Sequence, residues 1–390
     1  MIKIEQNNIL LIEDKHLRHC KPYILKQIKF YKDFISRFAN NNYVILAGKT
    51  LKNFYGLDPR TVKVLIKPFY QDVGLRDKPN SVKIGEIENT LKSNYNLIIN
   101  VAIDYITLYS FIEVLEKEID KILIGKPNEL NKIINKTIYS YSYEKDYMLR
   151  QIFNYEKFSG EGYELNTGNG NDIWGSYELT KSLGVNVCPY CNRNWINTIG
   201  FQKGKITNPQ LDHFFSQTDH SILRISLYNL IPSCETCNAR LKNDTKFKID
   251  KHLHPHMDGY QKDAKFKSIA LDYESGVGMA NNFNIQLSFN DLMSEGRKKK
   301  IEENHKIFKI NEIYKHHGDI VSEIYLKKQL YSRDYVEMLR RNINFPNNIQ
   351  INQLYRIAFA NYLDENDFQK RPFAKLIRDI AEQLELIEIQ

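Results

Sequence analysis

The chain has 390 residues, of which 42% are hydrophobic and 26% charged. That is material for two or three domains at ~150 residues each, and it excludes a disordered chain. A net charge of +8 permits an anionic partner without demanding one. No apolar run reads as membrane-spanning, since Leu97 to Leu115 is broken by Asn100, Asp104 and Glu113. Met1-Ile2-Lys3-Ile4-Glu5 lacks the apolar core of a signal peptide, so the expected compartment is the cytoplasm.

The pattern over residues 1–158 predicts a mainly helical domain. Ile24, Ile28, Tyr31, Ile35 and Phe38 recur at steps of three or four and give one apolar face. Leu108, Phe111, Ile112, Leu115, Ile119 and Ile122 repeat the pattern until Gly125 and Pro127 close it. Within this region Gly48-Lys49-Thr50 fails as a phosphate loop, because Tyr43 stands where that motif needs glycine. His16, His19 and Cys20 are candidate metal ligands at the start of an amphipathic helix. Residues 159–176 hold five glycines among asparagines and read as a linker.

Residues 177–260 carry the chemistry. Cys188-Pro189-Tyr190-Cys191 and Cys234-Glu235-Thr236-Cys237 are two Cys-x-x-Cys pairs of identical spacing, read as metal ligands before disulfides. Each pair folds two thiolates toward one ion, and the two together complete a closed, structural zinc site. Between them, Asn194 to Phe201 and Lys205 to Leu211 are strand candidates around a Gln202-Lys203-Gly204 turn. A short helix is expected over Asn238-Ala239-Arg240-Leu241-Lys242. His252, His254 and His256 alternate, and on a strand they would share a face. Residues 261–390 read as mixed and then mainly helical. Arg297-Lys298-Lys299-Lys300 is a basic run, and Ile377, Ile380, Leu384 and Ile387 mark an amphipathic terminal helix.

Three short motifs arrive in order inside the cysteine-bounded segment: Leu211-Asp212-His213-Phe214-Phe215, Leu227-Tyr228-Asn229-Leu230-Ile231-Pro232 and Cys234-Glu235-Thr236-Cys237-Asn238. Together with Cys188-Pro189-Tyr190-Cys191-Asn192-Arg193, they resemble the HNH endonucleases of the ββα-metal fold. The nearest resemblance is to the HNH nuclease subunits of Septu and retron-type bacterial antiphage defence systems. It covers about 60 residues. The resemblance implies an α+β fold, a mostly helical chain around a small zinc-stapled ββα-metal module. It implies a metal-dependent endonuclease acting on DNA as an antiphage effector, with structural Zn²⁺ and catalytic Mg²⁺ or Mn²⁺.

Under that resemblance each residue takes a role. His213 is the general base, an imidazole of ordinary pKa ~6.5. Asp212, pointing the other way on an extended segment, and Asn238 are the ligands of the divalent ion. Asn229 holds the imidazole in place, as the middle asparagine does in the resembled family. Arg240 and Lys242 are the expected phosphate contacts. Asn238 departs from the commoner pattern, which has a third histidine there. Charge agrees in sign: between Lys181 and Lys300 there are 17 basic and 11 acidic residues, a net of +6. The expected partners are nucleic acid, a homo-oligomer able to cut both strands, and, by resemblance alone, an ATPase defence subunit; no membrane is expected. Two rivals remain: the same site cutting RNA such as tRNA, and a non-catalytic zinc module that only binds nucleic acid.

Overall fold

The structure, a computed structural model, describes residues 1–5, 9–39, 105–139, 143–166, 171–260, 262–331 and 351–387. Gly48-Lys49-Thr50 therefore lies outside the described residues, as do the side chains of Ile35 and Phe38. The described chain is mixed α and β, with helices and four two-stranded antiparallel sheets. It divides into two compact units. One comprises residues 10–175 and 217–229; the other comprises residues 1–9, 176–216 and 230–390. Residues 177–260 and 261–390, distinguished above by pattern, thus largely share a unit with the N-terminal segment.

The first unit contains α1 (Ile9–Ala39), α2 (Tyr105–Ile124), α3 (Pro127–Ile134), α4 (Tyr143–Ile152) and α5 (Tyr155–Gly160). Ile24, Ile28 and Tyr31 of α1 are buried, as are Leu108, Phe111, Ile112, Leu115, Ile119 and Ile122 of α2, so both apolar faces are core. The stretch read as a linker has regular structure in its described residues. It carries a hairpin, β1 (Tyr163–Asn166) with β2 (Asn171–Trp174). Tyr163 and Trp174 are opposite one another in the register and both are buried. This aromatic cross-strand pair outweighs the turn propensity of its neighbours.

The second unit begins with residues 1–5 and continues from α6 (Ser176–Leu183) through the short hairpin of β3 (Ile199–Gly200) and β4 (Lys205–Thr207). Then come β5 (Gln210–His213), β6 (Leu230–Ser233) and α7 (Thr236–Lys242). After them follow β7 (Ala264–Ala270), α8 (Tyr273–Gly276), β8 (Phe283–Phe289), α9 (Glu295–Ile307), α10 (Ile310–Tyr314), α11 (Gly318–Leu330), α12 (Ile351–Phe359) and α13 (Ala374–Gln383). The terminal helix buries Ala374, Leu376, Ile380 and Ala381, together with a Lys375–Asp379 ion pair at 2.8 Å. Asp379 also accepts the Phe266 N–H at 2.9 Å, which ties α13 to β7. Of the predicted apolar stripe, Ile380 and Leu384 are buried, and Ile377 and Ile387 are half-buried.

The basic run lies on α9. Arg297 is committed to Asp258, to Asp263 at 2.9 Å and to the Gly259 carbonyl, and Lys300 donates to the Ile249 carbonyl at 2.6 Å. These two side chains brace the loop before β7.

Candidate functional site

The strand pair that carries the site is not the one the sequence pattern predicts. That pattern pairs Asn194 to Phe201 with Lys205 to Leu211. In the fold the hairpin is reduced to β3 and β4, and the next strand, β5, pairs with β6. The register runs Gln210↔Ser233, Leu211↔Pro232, Asp212↔Ile231 and His213↔Leu230. Pro232 is tolerated because the sheet has only two strands, which leaves an edge needing no N–H. After Ser233 the chain passes directly into Cys234 and α7. At the end of α7 the Asn243 N–H bonds the Asn238 carbonyl, a wide i→i+5 turn.

Strand alternation puts Gln210 and Asp212 on one face of β5 and sends the His213 side chain to the other. The helix α7 lies along the first of these faces. The Asn238 carboxamide donates to Gln210 Oε1 at 3.0 Å, and Lys242 Nζ donates to Asp212 Oδ1 at 2.6 Å and to the His213 carbonyl at 2.6 Å. Asn238 and Lys242 sit about one helical turn apart, and they meet strand residues ~6.6 Å apart. The second oxygen of Asp212 accepts the Tyr190 hydroxyl at 2.5 Å. Asp212, Lys242 and His213 are all buried.

Two expectations change here. Lys242 is not a solvated phosphate contact; its ammonium is the internal counter-ion of Asp212, because a carboxylate removed from water needs a charge partner. Asp212 and Asn238 do share one face, as the roles above require. The Asp212 carboxylate is nevertheless already committed to Lys242 and Tyr190, and the Asn238 amide N–H to Gln210, so as arranged the carboxylate is not presented to Mg²⁺ or Mn²⁺. Arg240 is exposed and pairs with Glu235 at 3.0 Å. Asn229 is buried, and its carboxamide donates to the Leu223 carbonyl at 2.9 Å, bracing the 217–229 segment.

The cysteines converge as expected. One ligand atom from each of Cys188, Cys191, Cys234 and Cys237 lies within 4.8 Å of all the others, and the four thiols are free and buried. A tetrahedron of ~2.3 Å zinc–sulfur bonds has edges of about 3.8 Å, so the donor set fits zinc. Hydrogen bonds from Cys188 hold Cys191 and Cys234 below the ordinary thiol range, while burial pushes Cys188 up. Four thiolates gathered in one buried space repel one another, and a cation at their centre offsets that repulsion.

Both knuckles have local causes. In the first, Asn192 takes a left-handed φ of 49°, a conformation asparagine tolerates, and its N–H closes the turn on the Cys188 carbonyl at 2.8 Å. The Asn192 side chain then accepts the Lys375 N–H and donates to the Phe368 carbonyl, while Tyr314 donates to the Cys191 carbonyl at 2.6 Å. In the second, the Asn238 N–H closes on the Cys234 carbonyl at 3.0 Å.

The alternating His252, His254 and His256 are packed against aromatic and backbone groups of the unit. His252 stacks on Phe247 with ring centroids 4.3 Å apart, His254 packs on Phe214 at 4.1 Å, and His256 Nε2 bonds the carbonyl of Leu230, the cross-strand partner of His213. In the first unit His16, His19 and Cys20 do not form a cluster of metal ligands among the described residues. His16 bonds the Ile225 carbonyl and Trp174, and His19 Nδ1 bonds the Lys15 carbonyl while its Nε2 lies 3.3 Å from Asp172. Sequence reasoning misses Tyr190 and Gln210. Their only signal is position: Tyr190 lies inside a knuckle, and Gln210 lies two residues before Asp212 on a strand.

Compared with known proteins, the chain matches no family model, no curated protein and no solved structure. Among the described residues, no helix is long and apolar enough to cross a membrane.

Proposed function

We propose that this chain is a zinc-stapled endonuclease of the HNH kind, cutting phosphodiester bonds of DNA. One observation carries the reading: Asp212-His213 lies on the first strand of an antiparallel pair whose second strand runs into a cysteine knuckle and then a helix bearing Asn238. Separated stretches of chain thus form one strand–strand–helix unit around a sulfur clasp. In this reading His213 takes the proton of the attacking water, and the exposed Arg240 steadies the phosphate. Asp212 and Lys242 set the position of the His213 backbone through the Lys242 bond to its carbonyl. A divalent ion has no step here, since Lys242 holds the carboxylate it would use. The defence role and an ATPase partner rest on the resemblance alone.

The Asp212–Lys242 pair favours a second reading, a zinc-stabilised module that binds nucleic acid without cutting it. Incubation of the purified protein with supercoiled plasmid and with tRNA separates the readings, using Mg²⁺, Mn²⁺ or EDTA in parallel. Nicking of the plasmid, reduced at least ~100-fold by His213→Ala with zinc retained, is the expected result. Cleavage of tRNA alone overturns the DNA assignment, and a wild type that binds DNA but never cuts it establishes the second reading.

A further inference from the structure

The segment from Trp195 to Phe201 alternates in a way the core does not explain. Trp195, Asn197, Ile199 and Phe201 are exposed, while Ile196 between them is buried. Trp195 and Phe201 are 55% and 62% exposed, and Ile206 on the returning strand is 72% exposed. Singly such residues are ordinary; in one continuous run they mark a binding surface.

The run is held rigidly from behind. Gln202 is buried, its side chain accepts the Tyr177 N–H at 3.2 Å, and its own N–H donates to Glu178 at 2.9 Å. Thr198 donates to Thr180 at 2.8 Å. Gly200 has a φ of 96°, and a Cβ there would fall 2.3 Å from the Gly204 carbonyl oxygen, so the turn is specified. The hairpin is therefore fastened to α6 with Phe201 exposed at its turn, and Trp195 is exposed on the segment that leads into it, bridged to Val187.

Its own charges are of one sign, and it meets the Glu178 carboxylate of α6 through the Gln202 N–H. From Arg193 to Leu211 there are three basic residues, Arg193, Lys203 and Lys205, and no acidic one. Lys181 of α6 adds a fourth cation, its ammonium 4.1 Å from the centroid of the Phe201 ring. Exposed π-faces among cations are the surface that a nucleic-acid strand with unpaired bases requires: bases stack and phosphates pair. A second copy of the chain fits less well, because a stable interface takes roughly 20–30 residues a side and would bring like charges together. The chain also leads from this hairpin straight to the site. From Thr207 to His213 is six residues, at most about 20 Å.

We infer that the β3–β4 hairpin, together with the segment from Trp195 that leads into it, is a strand-engaging wing of the nuclease proposed above, with Trp195 and Phe201 stacking on unpaired DNA bases and Lys181, Lys203 and Lys205 meeting the phosphates. The inference rests on that reading for its substrate but is tested apart from it. The protein has two tryptophans, and Trp174 is buried, so Trp195 is the exposed reporter. Full-length His213→Ala protein is titrated with a single-stranded DNA oligonucleotide, with the matching duplex and with heparin. The single strand is expected to quench Trp195 emission, and Phe201→Ala to weaken its binding roughly tenfold. Lys203→Gln with Lys205→Gln is expected to flatten the salt dependence of binding.

Binding without quenching, equal quenching by heparin, tighter binding of the duplex, or unchanged affinity in Phe201→Ala overturns the wing. So does a dimer, seen by sedimentation, that Phe201→Ala dissociates while leaving DNA affinity intact. Plasmid nicking by the wild type stands or falls independently. Quenching by a protein that never nicks keeps the wing and defeats the nuclease.

Discussion

At the scale of single residues, the deciding contact is the ammonium of Lys242 against Asp212. Both side chains are nearly inaccessible, at 5% and 4% exposure. Removing one member leaves the other charged and buried, a loss of about 3–5 kcal/mol, whereas removing both can be nearly neutral. Lys242→Met is therefore expected to lower the denaturant midpoint sharply, and Asp212→Asn with Lys242→Met to recover most of the loss, measured by urea unfolding at neutral pH. If Lys242→Met alone is neutral, Asp212 is not the buried anion described. His16 provides a second test. Its Nε2 donates to the Ile225 carbonyl at 2.8 Å and its Nδ1 accepts the Trp174 indole N–H at 3.0 Å, so the neutral ring is fully satisfied. A proton on Nδ1 would face the indole N–H. Burial, the largest cause, pulls the pKa down to about 4. The folded state thus binds this proton less readily than the unfolded state. The resulting stability is present above about pH 6.5 and is lost as pH falls toward 4, a total of roughly 3 kcal/mol. Unfolding followed between about pH 7 and pH 4.5 is expected to show that loss, and His16→Gln to flatten its slope.

At the scale of elements, the sulfur clasp does what two short strands cannot. A two-stranded sheet is marginal alone, and β5 with β6 has only four residues in each strand. Fastening the Cys234 end of β6 and α7 to the first knuckle supplies the missing restraint. One zinc per chain is expected by mass spectrometry, and Cys237→Ser is expected to lose both the metal and the cooperative melting transition. A variant that melts like the wild type would show that the fold does not depend on the clasp. The clasp is also the most legible part of the sequence, because equal Cys-x-x-Cys spacing has few other physical explanations. The strand pair is harder to read. Pro232 interrupts the run that becomes β6, and the partner of β5 lies beyond a 16-residue excursion, Phe214 to Asn229, that local pattern does not bridge. The charge partner of Asp212 is hidden for a related reason. A lysine on a short helix reads as solvated until the helix is seen lying on the strand. The 159–176 stretch shows the converse: Tyr163 and Trp174 form a buried pair that composition alone does not reveal.

For the whole molecule, the consequential feature is that neither compact unit is continuous in the chain. The unit with the site takes in residues 1–9 and then resumes at Ser176, and the other borrows residues 217–229. The N-terminal segment is core material. Met1, Ile2 and Ile4 are buried, the Ile2 N–H bonds the Pro189 carbonyl inside the first knuckle at 2.8 Å, and the Ile4 N–H bonds the Pro255 carbonyl at 2.8 Å. Gln369 closes the arrangement by accepting the Glu5 N–H at 3.1 Å and donating to its carbonyl at 3.2 Å. Burying three such side chains contributes about 5–8 kcal/mol, comparable with the whole net stability of a domain. A fragment beginning at Ser176 is therefore expected to fail as an independent domain even though it keeps His213 and all four cysteines of the clasp. It should bind less than one zinc per chain and show no cooperative melt by circular dichroism. Restoring residues 1–5 through a flexible linker ahead of Ser176 should recover part of both signals, and the same linker with Ile2→Asp and Ile4→Asp should not. A bare fragment that binds one zinc and melts cooperatively would mean that the first stretch of chain is an accessory to this unit and not part of its core.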